Sequence, residues 1–234
     1  MSKVLIIIPA YNEERSIENV IREVKSANSN YDILVINDGS SDNTSKIAKT
    51  CGVKVIDLPF NLGIGGAVQT GFIYAKNEYY DIAVQLDGDG QHDSRFIKDL
   101  IVLIENQEAD MVIGSRFKGN TNYKIPILRK IGMIFFSKFI KILTGLDIKD
   151  TTSGFRAVNR RVIEYFSERY PLDYPEVDVI VRLYKKGFKI KEIPVYMNAR
   201  KYGRSSITPL KAIYYMVKVS FALFINYLRS EKLV

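Results

Sequence analysis

A doubly wound, mostly parallel α/β sheet is the fold this sequence predicts, and two observations carry it. Five short, mostly β-branched apolar runs have the pattern of strands buried on both faces. Between them, apolar residues recur at three and four residues, the spacing of a helix with one buried stripe. Such alternation implies βαβ crossovers and hence a largely parallel sheet.

The elements follow in order. The first strand is Val4 to Ile8, ending at Pro9, and Ile17, Val20, Ile21 and Val24 mark the helix after it. Strands at Ile33 to Ile36, Val53 to Ile56 and Ile82 to Leu86 come next, then a helix through Phe96, Leu100, Leu103 and Ile104, and a strand at Met111 to Ile113. After about Gly119 the alternation stops. Two long apolar-basic helices, Ile125 to Thr144 and Thr208 to Arg229, flank a mixed region with one further strand at Lys189 to Val195. The chain reads as a single domain, 1–234.

Composition narrows the function. With 47% hydrophobic and 26% charged residues, the 234-residue chain can bury a sizeable core and is neither disordered nor collagen-like. The single Cys51 excludes an intramolecular disulfide and any multi-cysteine metal site. A net charge of +8 points to an anionic partner: nucleic acid, a phosphorylated small molecule or an acidic membrane surface. The N-terminus has no signal-peptide pattern. Lys211, Lys218 and Asn226 interrupt the longest apolar stretch, so no clean membrane span is expected.

In a doubly wound sheet, ligands sit outside the carboxyl ends of the strands. The segments there are Pro9-Ala10-Tyr11-Asn12-Glu13, Asn37-Asp38-Gly39-Ser40-Ser41-Asp42, Asp57, and Asp87-Gly88-Asp89-Gly90-Gln91. Asp87 and Asp89, separated by a glycine, can turn together toward one hard cation, and Gln91 adds a neutral oxygen; Mg²⁺ or Mn²⁺ bridging a diphosphate suits that set. An ordinary acid-glycine turn is the alternative.

These motifs, in this order, resemble glycosyltransferase family 2 enzymes of the GT-A fold, above all their polyprenyl-phosphate branch, over roughly Val4 to Thr208. The resemblance implies a nucleotide-sugar half at 1–118, an acceptor half at 119–207 and a C-terminal amphipathic helix at 208–234. It places Pro9, Tyr11, Glu13, Asp38, Asp87 and Arg200 at the nucleotide-sugar, and Asp89, Gln91 and Asp87 at the metal. Gly114-Ser115-Arg116 and Arg200-Lys201-Tyr202-Gly203 look like phosphate-contacting segments, and Ser153-Gly154-Phe155-Arg156 is similar to the acceptor-side motif. Arg116, Arg129, Ser153 and Arg156 are therefore expected at the acceptor, with Asp89, Arg200, Arg116 and Arg129 carrying catalysis. Two departures stand out: Asn37 replaces the first acid of a commoner Asp-Asp-Gly-Ser turn, and Ser206 stands where the branch often has Lys.

The expected reaction is inverting, metal-dependent transfer from a nucleotide-sugar to a polyprenyl phosphate at the cytoplasmic membrane face. A lipid phosphate is already ionised at pH 7, so a strong general base is dispensable. The alternative, transfer to a saccharide hydroxyl in polysaccharide synthesis, needs Glu176 or Asp178 as base; a solvated helix N-terminus after Pro175 is the competing reading of those acids. The lone His92 reads as a neighbour orienting the metal loop rather than as an acid-base group. Gly63, Gly65 and Gly66 fit a phosphate cradle or a tight, close-packed turn.

Lys130, Lys138 and Lys141 fall within roughly 80° on a helix, with Ile127, Leu128, Phe135, Phe139 and Leu143 over much of the opposite side. This suits peripheral attachment to an anionic membrane, a core helix with snorkelling lysines being the alternative. The last helix is expected to meet the domain, the bilayer, a small membrane-protein partner or a second copy of the chain. No nucleic-acid partner is expected, because the basic residues form no aromatic-interleaved stripe.

Overall fold

Alternate side chains of Val4–Ala10 leave the strand on opposite faces, and both faces are covered: Leu5 and Ile7 join one apolar core, Val4, Ile6 and Ile8 the other. This strand, β1, belongs to a computed structural model that describes residues 2–116, 127–172, 175–198, 218–221 and 225. The elements after it are α1 (Ile17–Ala27), β2 (Asp32–Asn37), α2 (Thr44–Thr50), β3 (Lys54–Asp57), α3 (Gly63–Asn77), β4 (Ile82–Gln85), α4 (Ile97–Glu105) and β5 (Met111–Ser115). Then come α5 (Ile127–Thr144), β6 (Arg156–Asn159), α6 (Arg160–Glu168), α7 (Pro175–Lys185) and β7 (Ile190–Pro194).

The sheet has seven strands in the order β3-β2-β1-β4-β6-β5-β7. All pairs are parallel except those of β6, which runs antiparallel between β4 and β5. The mostly parallel sheet predicted from the sequence is therefore present, and a strand from the second half of the chain is wedged into it. Val20, Ile21 and Val24 of α1 and Leu100, Ile101 and Ile104 of α4 close one face. Phe72 of α3, Phe136 of α5, Phe166 of α6 and Ile180 of α7 close the other.

Two consequences position the site. Strand order reverses between β1 and β4, so the loops after these strands straddle a crevice at the carboxyl edge of the sheet. Because β6 is antiparallel and begins at Arg156 opposite Gln85, the loop before it arrives at that same edge, beside the end of β4.

Along α5, Met133, Phe136 and Ile140 enter the core while Ile131, Ile134, Phe135 and Ile142 stay exposed beside the exposed Lys130, Lys138 and Lys141. Phe139 and Leu143, expected on an exposed apolar face, instead pack partly against the core. Lys141 is answered by Asp147 at 3.0 Å. Helical backbone at 218–221 and 225 buries Val219 and exposes Phe221 and Ile225; the rest of the expected last helix lies outside the described residues. Among the described residues, no helix is long and apolar enough to cross a membrane.

Candidate active site

The first two loops are laced together. Asn12, at φ 55°, donates its N–H to Ser40 Oγ and accepts from Ser41 N through Oδ1. Glu13 N donates to Thr44 Oγ1, and Glu14 N to Asp42 Oδ2. Glu13 itself accepts from Ser16 Oγ at 2.6 Å, which ties its carboxylate to the start of α1. Pro9 is buried in β1, and Tyr11 stands half exposed at the rim.

Asp38 is buried, and its Oδ1 accepts from Leu62 N at 2.7 Å. Burial pushes its carboxyl above the usual range, opposed by the Leu62 and Gly63 N–H groups. It thus anchors the start of α3, at the turn expected to meet the nucleotide-sugar. Asn37 faces Asp57 across the β2–β3 register and donates Nδ2 to Asp57 Oδ1 at 2.8 Å. Hydrogen bonds from Lys49, Ser45 and Asn37 hold Asp57 at about 2, so it is ionised. A second acid at 37 would meet this carboxylate head-on, which gives the Asn37 departure a physical reason.

At the start of α3 the structure supports the close-packed reading for Gly65. A Cβ at Gly65 would lie 2.3 Å from the Leu172 carbonyl oxygen and 2.6 Å from that of Pro171. Carbonyl oxygens repel phosphate, so close packing against the 171–172 segment is what Gly65 serves.

Asp87, Asp89 and Gln91 follow β4 at the crevice, all partly exposed. Asp89 Oδ1 accepts from Gln91 N at 3.0 Å, closing the turn. His92 is buried and stacked on Phe155 at 5.1 Å, and its Nδ1 accepts the Asp87 N–H at 3.1 Å. Its Nε2 stands 3.6 Å from Asp87 Oδ2. Burial pushes the imidazole down to about 4, so it is neutral at pH 7 and fixes the loop rather than supplying charge. The donor set of two carboxylates and one amide is hard and oxygen-based, which fits Mg²⁺ or Mn²⁺. Among the described residues, no three His, Cys, Asp or Glu side chains converge as a complete cage, so such an ion would take further oxygens from a diphosphate or water.

Arg116, expected at an acceptor phosphate, is buried beside the carboxyl edge and paired with Asp150. Its Nε and one terminal nitrogen donate to the two Asp150 oxygens at 2.6 and 2.7 Å, and the same nitrogen donates to Thr152 Oγ1. The charge nevertheless acts on the site, adding to the depression of the His92 pKa and opposing the rise of the Glu176 pKa. Ser153 and Arg156 are also turned inward: Ser153 Oγ donates to the Gly114 carbonyl, and the Arg156 guanidinium donates to carbonyls of Thr151, Ser153 and Glu176. Arg200 and the Arg129 side chain lie outside the described residues. Glu176 opens α7 as expected, but half-buried rather than solvated; burial pushes its carboxyl up, opposed by Arg156 and reinforced by Asp87.

Sequence reasoning missed Asp150 and Glu192. Glu192 accepts the backbone N–H groups of Lys149 and Asp150, and Asp150 in turn holds Arg116. The only signal was the acid directly before Thr151-Thr152-Ser153-Gly154; nothing in β7 marked Glu192.

Comparison with known proteins accords with this arrangement. The family model described as glycosyl transferase family 2 matches residues 5–166. The chain is 34% identical to a UDP-N-acetylglucosamine–dolichyl-phosphate N-acetylglucosaminyltransferase of Methanococcus voltae, over 82% of this chain and 84% of that one. It is 29% identical to polyprenol monophosphomannose synthase of Mycolicibacterium smegmatis, over 88% and 81%. In fold it resembles glucosyl-3-phosphoglycerate synthase of Mycobacterium tuberculosis, solved with Mn²⁺, UDP-glucose and phosphoglyceric acid: the TM-score is 0.74 at 18% identity, over 97% of this chain and 79% of that one.

Proposed function

The chain belongs to glycosyl transferase family 2, and from that premise we propose that it transfers a sugar from a nucleotide-sugar to a polyprenyl phosphate. The relatives named above act, by name, on dolichyl or polyprenyl phosphates. The observation that carries the donor half of the reading is the meeting of Asp87, Asp89 and Gln91 with two interlocked loops at the crevice between β1 and β4.

In this reading Pro9, Tyr11, Glu13 and Asp38 seat the nucleotide, while Asp87, Asp89 and Gln91 face its diphosphate. A divalent ion held by these three would stabilise the charge that builds on the departing diphosphate. Arg200 adds positive charge there. Arg116, pre-oriented by Asp150, and Arg129 hold the acceptor phosphate in line with the sugar carbon, so attack inverts that centre. Ser153 and Arg156 hold the loop rather than the acceptor. No general base is required, because the attacking oxygen is already ionised.

The exposed Ile131, Ile134, Phe135 and Ile142 with Lys130 and Lys138 fit peripheral attachment to the inner, anionic membrane face. The exposed Phe221 and Ile225 offer a further apolar contact for lipid, a small membrane-protein partner or a second copy. One observation favours the alternative hydroxyl acceptor: Glu176, with its raised carboxyl, lies within electrostatic reach of Asp87, where a base would serve.

The test is a panel of radiolabelled UDP- and GDP-sugars with undecaprenyl or dolichyl phosphate and Mn²⁺, followed by organic extraction. Label entering the organic phase with one donor is expected. Label left in water with every donor would overturn the proposal.

A further inference from the structure

The segment from Asp150 to Arg156 is held at its start, its middle and its end. At its start, Asp150 is fully buried, accepting from Arg116 N, Nε and a terminal nitrogen, while its own N–H is taken by Glu192 at 2.6 Å. In the middle, Ser153 Oγ bridges the Gly114 carbonyl and the Phe155 N–H. At its end the Arg156 guanidinium gathers the Thr151, Ser153 and Glu176 carbonyls, and β6 takes the chain into the sheet. These bonds tie the segment to β5, β7 and α7 and make it rigid.

What that rigid segment presents to the site is Gly154. A Cβ built there lies 2.9 and 3.0 Å from the two Asp87 carboxylate oxygens and 3.2 Å from Gln85 Nε2. The next residue, Phe155, stacks on His92 with rings 14° from parallel, and His92 holds the Asp87 N–H. Asp87 is therefore backed twice by one loop, at the carboxylate through Gly154 and at the backbone through Phe155 and His92. Any side chain at 154 would therefore push the Asp87 carboxylate away from the position it holds here.

We propose that residues 150–156 are a backing plate for Asp87, and that Gly154 and Phe155 are positioning residues of the donor and metal site rather than acceptor contacts. This rests on the reading of Asp87 as a donor-side ligand. The loop from the acceptor half of the chain would then set the geometry of the donor half.

The experiment pairs two readouts. First, affinity for UDP and for GDP in the presence of Mn²⁺ is measured by calorimetry without acceptor, and donor and acceptor KM are measured separately. Gly154→Ala should weaken nucleotide binding by about tenfold or more and raise donor KM, because a few tenths of an ångström at a ligating carboxylate is costly. Acceptor KM should stay within about twofold. Phe155→Leu should show the same donor-side signature more weakly. Second, thermal unfolding without ligand is followed in a double-mutant cycle. Gly154→Ala should lower Tm more in the wild-type background than with Asp87→Ala, where the contact has been removed. A raised acceptor KM with unchanged nucleotide affinity, or equal Tm losses in both backgrounds, would overturn the proposal. Wild-type protein that binds neither nucleotide would instead retire the donor reading, and the unfolding cycle would still decide the contact.

Discussion

Replacing Asp150 by Ala should be among the most damaging single changes outside the apolar cores. The carboxylate is fully buried, and Arg116, 8% exposed, depends on it for two charged hydrogen bonds of 2.6 and 2.7 Å and a third from its backbone N–H at 3.1 Å. Removing one member of such a pair leaves a guanidinium in a low-dielectric site with its partner gone, which costs about 3–5 kcal/mol. In a chain of 234 residues that corresponds to a fall in Tm of about 6–20 °C. Urea unfolding of Asp150→Ala, Arg116→Met and the double variant Arg116→Met/Asp150→Leu reads the effect directly. The double variant should recover stability to within about 1 kcal/mol of wild type, since removing both charges also removes their desolvation cost. It should not recover the acceptor KM, because Arg116 is assigned to the acceptor phosphate as well. A loss below about 1 kcal/mol for Asp150→Ala would refute the buried-pair reasoning.

Asp89→Asn should lower turnover by about two to three powers of ten, and EDTA should stop the reaction; full activity in EDTA would exclude metal dependence. Gly65→Ala should destabilise by about 1–3 kcal/mol, because its Cβ would strike backbone carbonyls of the 171–172 segment; a helical Gly→Ala change otherwise stabilises, so a gain in Tm would disprove the contact. Asp57 is depressed from 3.8 to about 2, so its stabilisation is fully present above pH 4 and is lost as the pH falls toward 2. Since its side chain is 43% exposed, Asp57→Asn should cost only about 0.5–1 kcal/mol at neutral pH and nothing near pH 2, read by denaturant titration at both. Lys130 and Lys138 changed together to Glu should reduce flotation with anionic liposomes at low salt while sparing nucleotide binding; unchanged flotation would remove the electrostatic part of the membrane proposal.

Five strands were legible because each is a short, mostly apolar run, and four of them are buried on both faces while Lys54–Asp57, at the sheet edge, is only partly covered; Lys189 to Val195 was legible for its apolar content. β6 was not. Arg-Ala-Val-Asn is short and opens on a charge, and only the fold reveals the carbonyls that absorb its guanidinium. α3 was hidden by glycines inside the helix: Gly71 is there because a Cβ would sit 2.4 Å from Ile7 Cγ2 of β1. The carboxyl-edge segments were readable because each directly follows an apolar run, and ligands of a doubly wound sheet sit outside the carboxyl ends of its strands. The inward hydrogen bonds of Ser153 and Arg156 were not, because a motif tells which residues gather in a segment and not which way their side chains turn. Asn37 shows the same limit in reverse, a departure explained only by Asp57 on the neighbouring strand.

The central claim is that the acceptor is a lipid phosphate, and competition in one tube tests it most directly. The protein, its Mn²⁺ and the labelled nucleotide-sugar selected by the panel are offered equal concentrations of undecaprenyl phosphate and a soluble saccharide in detergent. The account predicts that label enters the organic phase and is released from it as free sugar by mild acid, the behaviour of a glycosyl phosphodiester. Label appearing in an acid-stable, water-soluble glycoside, and disappearing on Glu176→Gln, would contradict it and assign the enzyme a hydroxyl acceptor.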